Sequence, residues 1–236
     1  GDATPSNTAY NGSTLHLYQS GSSSVGSQIR WSTGASGHTT SDGAYMAFYT
    51  DNNMYCNIRE SGDWVFYTSN TERFRIDSDG YVTKSNHPSF HANGVQTPSN
   101  SSGGLNDNIS QYMTVMLTNI GSHYKTSGGD VGKFVVPVAG NYFFFGQALL
   151  RQIGNGIGSG ELTFYKNNSN VSARAFGYTY VVDGAAGGQD HDNLHISAVI
   201  PCAVGDKIHL QTLTTDSTVD WYWGQGLGNF GGFLIG

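Results

Sequence analysis

Charged residues are scarce in this sequence. Lys, Arg, Asp and Glu make up 12% of its 236 residues, about half the share of an ordinary globular domain. The net charge is −6, and no cluster of Lys and Arg offers a stripe that could neutralise nucleic-acid phosphates. We therefore expect no nucleic-acid partner, and we expect an acidic membrane surface to repel the chain.

Long apolar runs are also missing. No segment approaches the ~18 consecutive apolar residues that span a bilayer, and residues 1–5 lack the basic and then apolar pattern of a signal peptide. We therefore predict no membrane insertion. The sequence does not begin with Met. We therefore expect a mature product or a fragment of a longer protein.

Cysteine is rare as well. Cys56 and Cys202 are the two cysteines of the sequence, and they fall in different predicted domains. Two isolated thiols do not make a disulfide framework. We expect both to be buried free thiols.

Helical periodicity is not found, since no segment of ten or so residues combines apolar spacing at three and four with a capping start. Short β runs separated by turn signals fill the first part instead. They cover residues 14–19, 28–32, 45–50, 55–60, 64–68, 73–77 and 81–84. Such brief, half-apolar strands give a thin core, which association with other copies would bury.

The strands become longer and more apolar after Pro88, so we place a domain boundary near Asn86, between residues 1–86 and residues 87–236. The runs of the second part fit one double-sheet sandwich of jelly-roll size. They cover residues 89–92, 113–119, 132–136, 140–151, 161–167, 171–182, 193–200, 207–214, 218–223 and 230–235. We predict an all-β protein.

One strand is apolar on both faces. Side chains alternate along a strand, so Tyr142 and Phe144 lie on one face and Phe143 and Phe145 on the other. Such a strand must be covered twice. The opposing sheet can cover one face, and another subunit is the expected cover for the second.

The second part resembles the globular heads of complement C1q and the tumour necrosis factors. The matching pieces, in chain order, are Pro88-Ser89-Phe90-His91-Ala92, Thr118-Asn119-Ile120-Gly121 with Tyr124, Gly132-Lys133-Phe134 with Pro137, Gly140-Asn141-Tyr142-Phe143-Phe144, Phe164-Tyr165-Lys166-Asn167, Val204-Gly205-Asp206-Lys207-Ile208 and Phe230-Gly231-Gly232-Phe233-Leu234-Ile235. The resemblance implies a jelly roll that trimerises about an axis lined with apolar and aromatic side chains. It implies a trimer-interface or core position for Tyr142, Phe143, Phe144, Phe145, Phe230 and Phe233.

The first part resembles the short repeat units of bacteriophage tail-fibre and tailspike shafts. The resemblance rests on the string from Thr71 to Val82, which follows Ile29-Arg30-Trp31-Ser32 and Trp64-Val65-Phe66-Tyr67. It implies a trimeric shaft, and a shaft and a tip that are both trimeric would share one threefold axis. Together the two resemblances imply a homotrimeric virion fibre, exposed outside the cell.

The densest aromatic cluster is Trp221-Tyr222-Trp223. Two interpretations are open for its tryptophans: they fill the core or the trimer axis, or they stack against a sugar ring. In the resembled fold, the loop that follows them would lie at the end distal to the shaft, where a host receptor is met first. The candidate ligand-binding residues are Trp221, Tyr222, Trp223, Gln225 and Asn229.

A metal site is a second candidate. Residues 183–192 form an acidic connection, and some members of the resembled family hold calcium at their tip. Asp190 and Asp192 could supply carboxylate ligands for calcium, with a solvated loop as the alternative. His191 and His195 need a helix to converge on zinc, whereas their segment reads as a strand, so no zinc site is expected.

Catalytic motifs are not found: no nucleophile elbow and no Ser, His and Asp arrangement stands out. The resembled head is a binding module, so we expect no enzyme activity. The predicted function is attachment of a virion fibre to a host-cell surface receptor, with a glycan as the favoured ligand. Two alternatives stay open: a decoration trimer without a receptor, and a tailspike that cleaves polysaccharide with carboxylates brought together across subunits.

Overall fold

The structure, a computed structural model, describes residues 17, 26–94, 106–152, 156–181, 191–213, 219–222 and 227–235, apart from the side chains of 106–107, 152, 156–157 and 172–181. The chain divides into two compact units, Gly1–Ser85 and Asn86–Gly236. Every described strand pair is antiparallel, and a single turn of 3₁₀ helix is the one helical element of the described residues. No helix in this part of the chain is long and apolar enough to cross a membrane. The predicted all-β fold class is confirmed.

The first unit contains two three-stranded sheets. One consists of β1 (Ser27–Trp31), β2 (Ala44–Phe48) and β3 (Met54–Ile58), and the other of β4 (Trp64–Thr68), β5 (Thr71–Ile76) and β6 (Val82–Thr83). Ser69 and Asn70 both have positive φ in the two-residue turn of the β4–β5 hairpin, which gives the turn a twist that matches the strands. Tyr45 and Ala47 are the only buried hydrophobic residues in the described part of this unit.

The second unit is a sandwich of two sheets. Its strands are β7 (Ser89–Asn93), β8 (Asn106–Asn108), β9 (Val115–Ile120), β10 (Phe134–Val135), β11 (Gly140–Gln152), β12 (Gly156–Lys166), β13 (Ser169–Val181), β14 (His191–Cys202), β15 (Lys207–Leu213), β16 (Val219–Tyr222) and β17 (Asn229–Leu234). The six-stranded sheet has the order β14-β11-β17-β7-β9, with β16 also paired to β11. The five-stranded sheet has the order β10-β15-β12-β13, with β8 also paired to β15. The chain passes repeatedly between the sheets, as in a jelly roll.

Aromatic rings fill the space between these two sheets. Phe90 lies at the centre, with its ring centroid 4.8 Å from those of Tyr124, Phe134 and Phe230. Phe144 joins the same cluster from β11. Because each ring buries on the order of 200 Å², this cluster supplies much of the hydrophobic stabilisation of the sandwich.

Several strands differ from the sequence-based prediction. Strand β8 was not predicted, because its three residues are polar and pair only at the sheet edge, with β15. The run predicted at 113–119 begins at Val115, after the 3₁₀ helix at Ile109–Tyr112. The run predicted at 161–167 begins at Gly156, because pairing with β13 extends it through a glycine-rich stretch that has no alternation. The run predicted at 14–19 lies outside the described residues except for Leu17.

Candidate functional site

The candidate site is the outward face of the six-stranded sheet. Register fixes its residues: odd-numbered residues of β11 point away from the core, and their partners on the neighbouring strands lie beside them. We call one part of this face the apolar half, which consists of Ile120, Phe143, Phe145, Val199 and Phe233. We call a second part of it the polar half, which consists of His91, Gln147, Arg151, His195, Ser197, Tyr222 and Asn229.

The apolar half combines three exposed side chains, Ile120, Val199 and Phe233, with the half-buried rings Phe143 and Phe145. Phe143 pairs with Val199 on one side and with Phe233 on the other, and its ring centroid is 5.5 Å from that of Phe233. Val199 is 56% exposed and Phe233 is 42% exposed. A group of neighbouring apolar side chains that is this exposed indicates an interaction surface.

Glycine is required next to this row. A Cβ added at Gly231 would lie only 2.2 Å from Cζ of Phe145, because the Phe145 ring lies across the Gly231 backbone. His91 packs edge-on against the same ring, with centroids 5.3 Å apart. Gly231 therefore allows the Phe145 ring to lie close against the sheet.

A cavity of about 380 Å³ lies beside Phe145, in the polar half of the face. It is lined by His91, Phe145, Gly146, Gln147, His195, Ile196, Ser197 and Asn229. Asn229 Nδ2 donates to Gln147 Oε1 at 3.2 Å, which orients both amides. Desolvation holds the pKa of His91 below its ordinary value. Amide groups beside an aromatic ring can hydrogen-bond and stack with a small polar ligand.

Tyr222 lies further along the polar half, where β16 pairs with β11. Arg151 donates from Nε and Nη2 to the two carboxylate oxygens of Asp220, whose side chain is only 1% exposed. The same guanidinium lies over the Tyr222 ring, 5.7 Å from its centroid, in a cation–π contact. The ion pair therefore fixes the position of a half-buried aromatic ring.

The structure separates the predicted aromatic residues into two groups. Tyr142, Phe144 and Phe230 are fully buried in the sandwich core, whereas Phe143, Phe145 and Phe233 point outward. For Trp221, a core position and a ligand contact were both open, and the structure gives the core position: Trp221 is 4% exposed, because register places it beside Leu150 on the inward face. Trp223 and Gln225 lie outside the described residues.

The predicted calcium ligands are only partly described. Asp192 is partly exposed and pairs with Leu150 at one end of β14, and Asp190 lies outside the described residues. Within the residues that the structure describes, no group of three or more His, Cys, Asp or Glu side chains could hold a metal ion. Calcium at this position stays a prediction.

Sequence reasoning missed several residues of the polar half. Arg151 and Asp220 lie far apart in the chain, and only the pairing of β11 with β16 brings them together. The pairing of the strands likewise places Gln147 and His91 beside the cavity. The alternation of β11 is a usable signal for Gln147 and Arg151, because it puts both on the face that carries Phe143 and Phe145.

No protein-family model matches the chain, and no curated protein matches it. The globular domain of the zebrafish complement 1qA protein is a solved structure similar to this chain, with 18% sequence identity and a TM-score of 0.42. The match covers 64% of this chain and 98% of that domain.

Proposed function

We propose that this chain forms a homotrimeric virion fibre, of the bacteriophage tail-fibre kind, whose sandwich attaches to a host-cell surface molecule. The apolar half joins the three copies, and the polar half binds the receptor, with a glycan as the expected ligand. The observation that carries the proposal is strand β11, whose rings Phe143 and Phe145 lie on the outward face in the middle of a sheet, beside the exposed side chains of Val199 and Phe233.

A second surface, of mixed polarity, adjoins the apolar half. A cavity of about 450 Å³ lies between the sandwich edges formed by β13 and β14, and its lining combines the apolar residues Val171, Ala198, Val199, Ile200 and Pro201 with Lys166, Ser169 and Asn170. A ring of three copies needs two different surfaces that fit each other. The apolar half and this edge cavity share Val199, so one copy can present both. The trimeric state itself rests on the sequence resemblance to C1q and tumour-necrosis-factor heads.

Glycan binding rests on the chemistry of the polar half. Tyr222 offers an aromatic ring of the kind that stacks on sugars, and Arg151 holds that ring in place. The Gln147 and Asn229 amides can donate to and accept from hydroxyl groups. Three equal sites on one axis would raise a weak single-site affinity through effective concentration.

Solution mass tests the assembly. Light scattering should give the mass of three chains for the wild type. Val199→Lys should lower that mass, because it places a charge in the apolar half, which is desolvated in the trimer. Val204→Lys is the matched control, because Val204 is 67% exposed in a turn outside this face. A wild-type monomer, or equal masses for the two variants, would contradict the proposal.

Competition for host adsorption tests the receptor. Excess wild-type trimer should block virus adsorption, and Tyr222→Ala should block it poorly while keeping the trimer mass. Tyr81→Ala is the control, since Tyr81 is an exposed tyrosine of the first unit. If the Tyr222 variant competes as well as wild type, receptor binding by the polar half is wrong. If wild-type trimer does not compete at all, the decoration trimer becomes the better account.

A further inference from the structure

Charge is almost absent from the six-stranded sheet that carries the candidate site. Within the strand bounds that the structure describes, β7, β9, β11, β14, β16 and β17 contain three residues that are Asp, Glu, Lys or Arg: Arg151, Asp192 and Asp220. Asp192 pairs with the buried Leu150 at one end of β14, so its register position is on the inward side. The outward face of these strands therefore carries one cation and one anion, Arg151 and Asp220.

These two charges compensate each other. Arg151 donates from Nε and Nη2 to the two carboxylate oxygens of Asp220, and the two side chains are 16% and 1% exposed. Charge-assisted bonds of this bidentate kind commit the guanidinium to its carboxylate. The described strands of this sheet therefore present no uncommitted Lys or Arg on the outward face with which an anionic ligand could pair.

The cavity beside Phe145 has the same character. None of the described residues that line it is Asp, Glu, Lys or Arg, and desolvation lowers the pKa of His91, whose imidazole is therefore neutral at pH 7. An acidic ligand in this cavity would lose hydration of its carboxylate without gaining an ion pair. Because burial of an unpaired charge is strongly unfavourable, the cavity disfavours acidic ligands.

The polar groups of the cavity are neutral donors and acceptors. Asn229 Nδ2 donates to Gln147 Oε1 at 3.2 Å. With respect to this bond, the Gln147 amide keeps two N–H donors and the Asn229 carbonyl keeps its acceptor sites. The Ser197 hydroxyl, which also lines the cavity, can both donate and accept. Sugar hydroxyls donate and accept in the same way, so this set of groups matches them.

Phe145 supplies the apolar part of the cavity. Its ring lies close against the Gly231 backbone, and His91 packs edge-on against it, with centroids 5.3 Å apart. A ring that is held in place in this way can pack against the C–H face of a pyranose. At about 380 Å³ the cavity is at the small end of ligand sites, which span roughly 300–1,000 Å³, and this size suits a single terminal sugar.

We infer that this cavity binds a neutral sugar residue and discriminates against sugars that carry a carboxylate. The inference rests on the proposed function, whose glycan ligand it narrows to an uncharged class. Two observations together carry it. An aromatic ring beside a pair of oriented amides recognises a sugar, and the described part of the face offers a carboxylate no cation.

Matched pairs of sugars test the discrimination on the full-chain protein. Glucose and glucuronic acid, like galactose and galacturonic acid, differ only at C6, which is a hydroxymethyl group in one and a carboxylate in the other. An array should carry such pairs together with neutral oligosaccharides and their sialylated forms. At pH 7 the protein should bind neutral glycans, and each acidic counterpart should bind at least about tenfold more weakly.

Variants locate the site, with light scattering to check that each keeps the wild-type mass. Gln147→Ala should weaken binding of the neutral glycan about tenfold, because it removes the donors of the amide pair. Asn141→Ala is the matched control, because Asn141 is an exposed amide on the same face near the start of β11, and it should bind as wild type does. Ser197→Lys places a cation in the cavity and should increase binding of the acidic counterpart.

The outcomes separate this inference from the proposed function. If the protein blocks virus adsorption but binds acidic glycans as well as neutral ones, or binds no glycan on the array, the inference is wrong and attachment to a host-cell molecule stands. Equal losses in Gln147→Ala and Asn141→Ala would place the sugar elsewhere and would also overturn the inference. A protein that neither blocks adsorption nor binds any glycan would overturn both.

Discussion

Removal of the Asp220 carboxylate should destabilise the sandwich strongly. Asp220→Ala leaves the Arg151 guanidinium without its partner in a site where the Arg151 side chain is 16% exposed. Breaking a buried ion pair costs about 3–5 kcal/mol. Because Arg151 keeps some contact with water, we expect the lower end, about 3 kcal/mol, which changes the unfolding equilibrium by roughly two orders of magnitude.

Urea unfolding measures this cost, with all variants compared at one protein concentration so that assembly contributes equally. Asp130→Ala is the control: Asp130 pairs with Lys207 at 2.9 Å but is 34% exposed, so its loss should cost no more than about 1 kcal/mol. The double variant Arg151→Met/Asp220→Leu removes both charges and should recover most of the loss.

The reasoning would be refuted if Asp220→Ala cost as little as Asp130→Ala, or if the double variant were no more stable than the single one. Either result would mean that the pair is not desolvated. Asp220→Ala should also affect receptor binding. Without Asp220 the Arg151 guanidinium is no longer fixed, so the Tyr222 ring loses its cation–π contact. At temperatures where the variant is still folded, it should therefore block virus adsorption less well than the wild type.

Three further outcomes follow from the core and the apolar half. Burial lowers the pKa of His209 from its ordinary 6.5 to about 4, because the core disfavours the charged imidazolium. As the pH falls from 6.5 to 4, this group should therefore lower the free energy of unfolding in urea by about 3 kcal/mol, and His209→Gln should lack that decrease. Gly231→Ala should displace the Phe145 ring and lower the trimer mass in light scattering, and an unchanged mass would contradict the role given to this contact. Phe144→Ala should cost about 3–5 kcal/mol in urea unfolding, against less than about 0.5 kcal/mol for Val204→Ala.

Much of the fold follows from local pattern. Alternating apolar residues and turn signals predicted most strands within a few residues, since side-chain period and turn chemistry are properties of neighbouring residues. The two faces of β11 were separable by the same rule. Where the pattern is weak, prediction failed: β8 is polar and the start of β12 is glycine-rich, so only pairing with β15 and β13 defines them.

The sequence by itself determined the all-β class, the strands with clear alternation and the presence of a strand that is apolar on both faces. Only the tertiary structure decided which aromatic residues are core and which are surface, because that depends on which strand lies beside which. Register buried Trp221 against the core, turned Phe143 and Phe233 outward together, and joined Arg151 to Asp220. The tertiary structure also ties the loop after β1 to one face of its sheet through Arg30, whereas Trp31 and Phe48 on the other face are exposed. Long-range pairing carries this information, and no local pattern in the chain contains it.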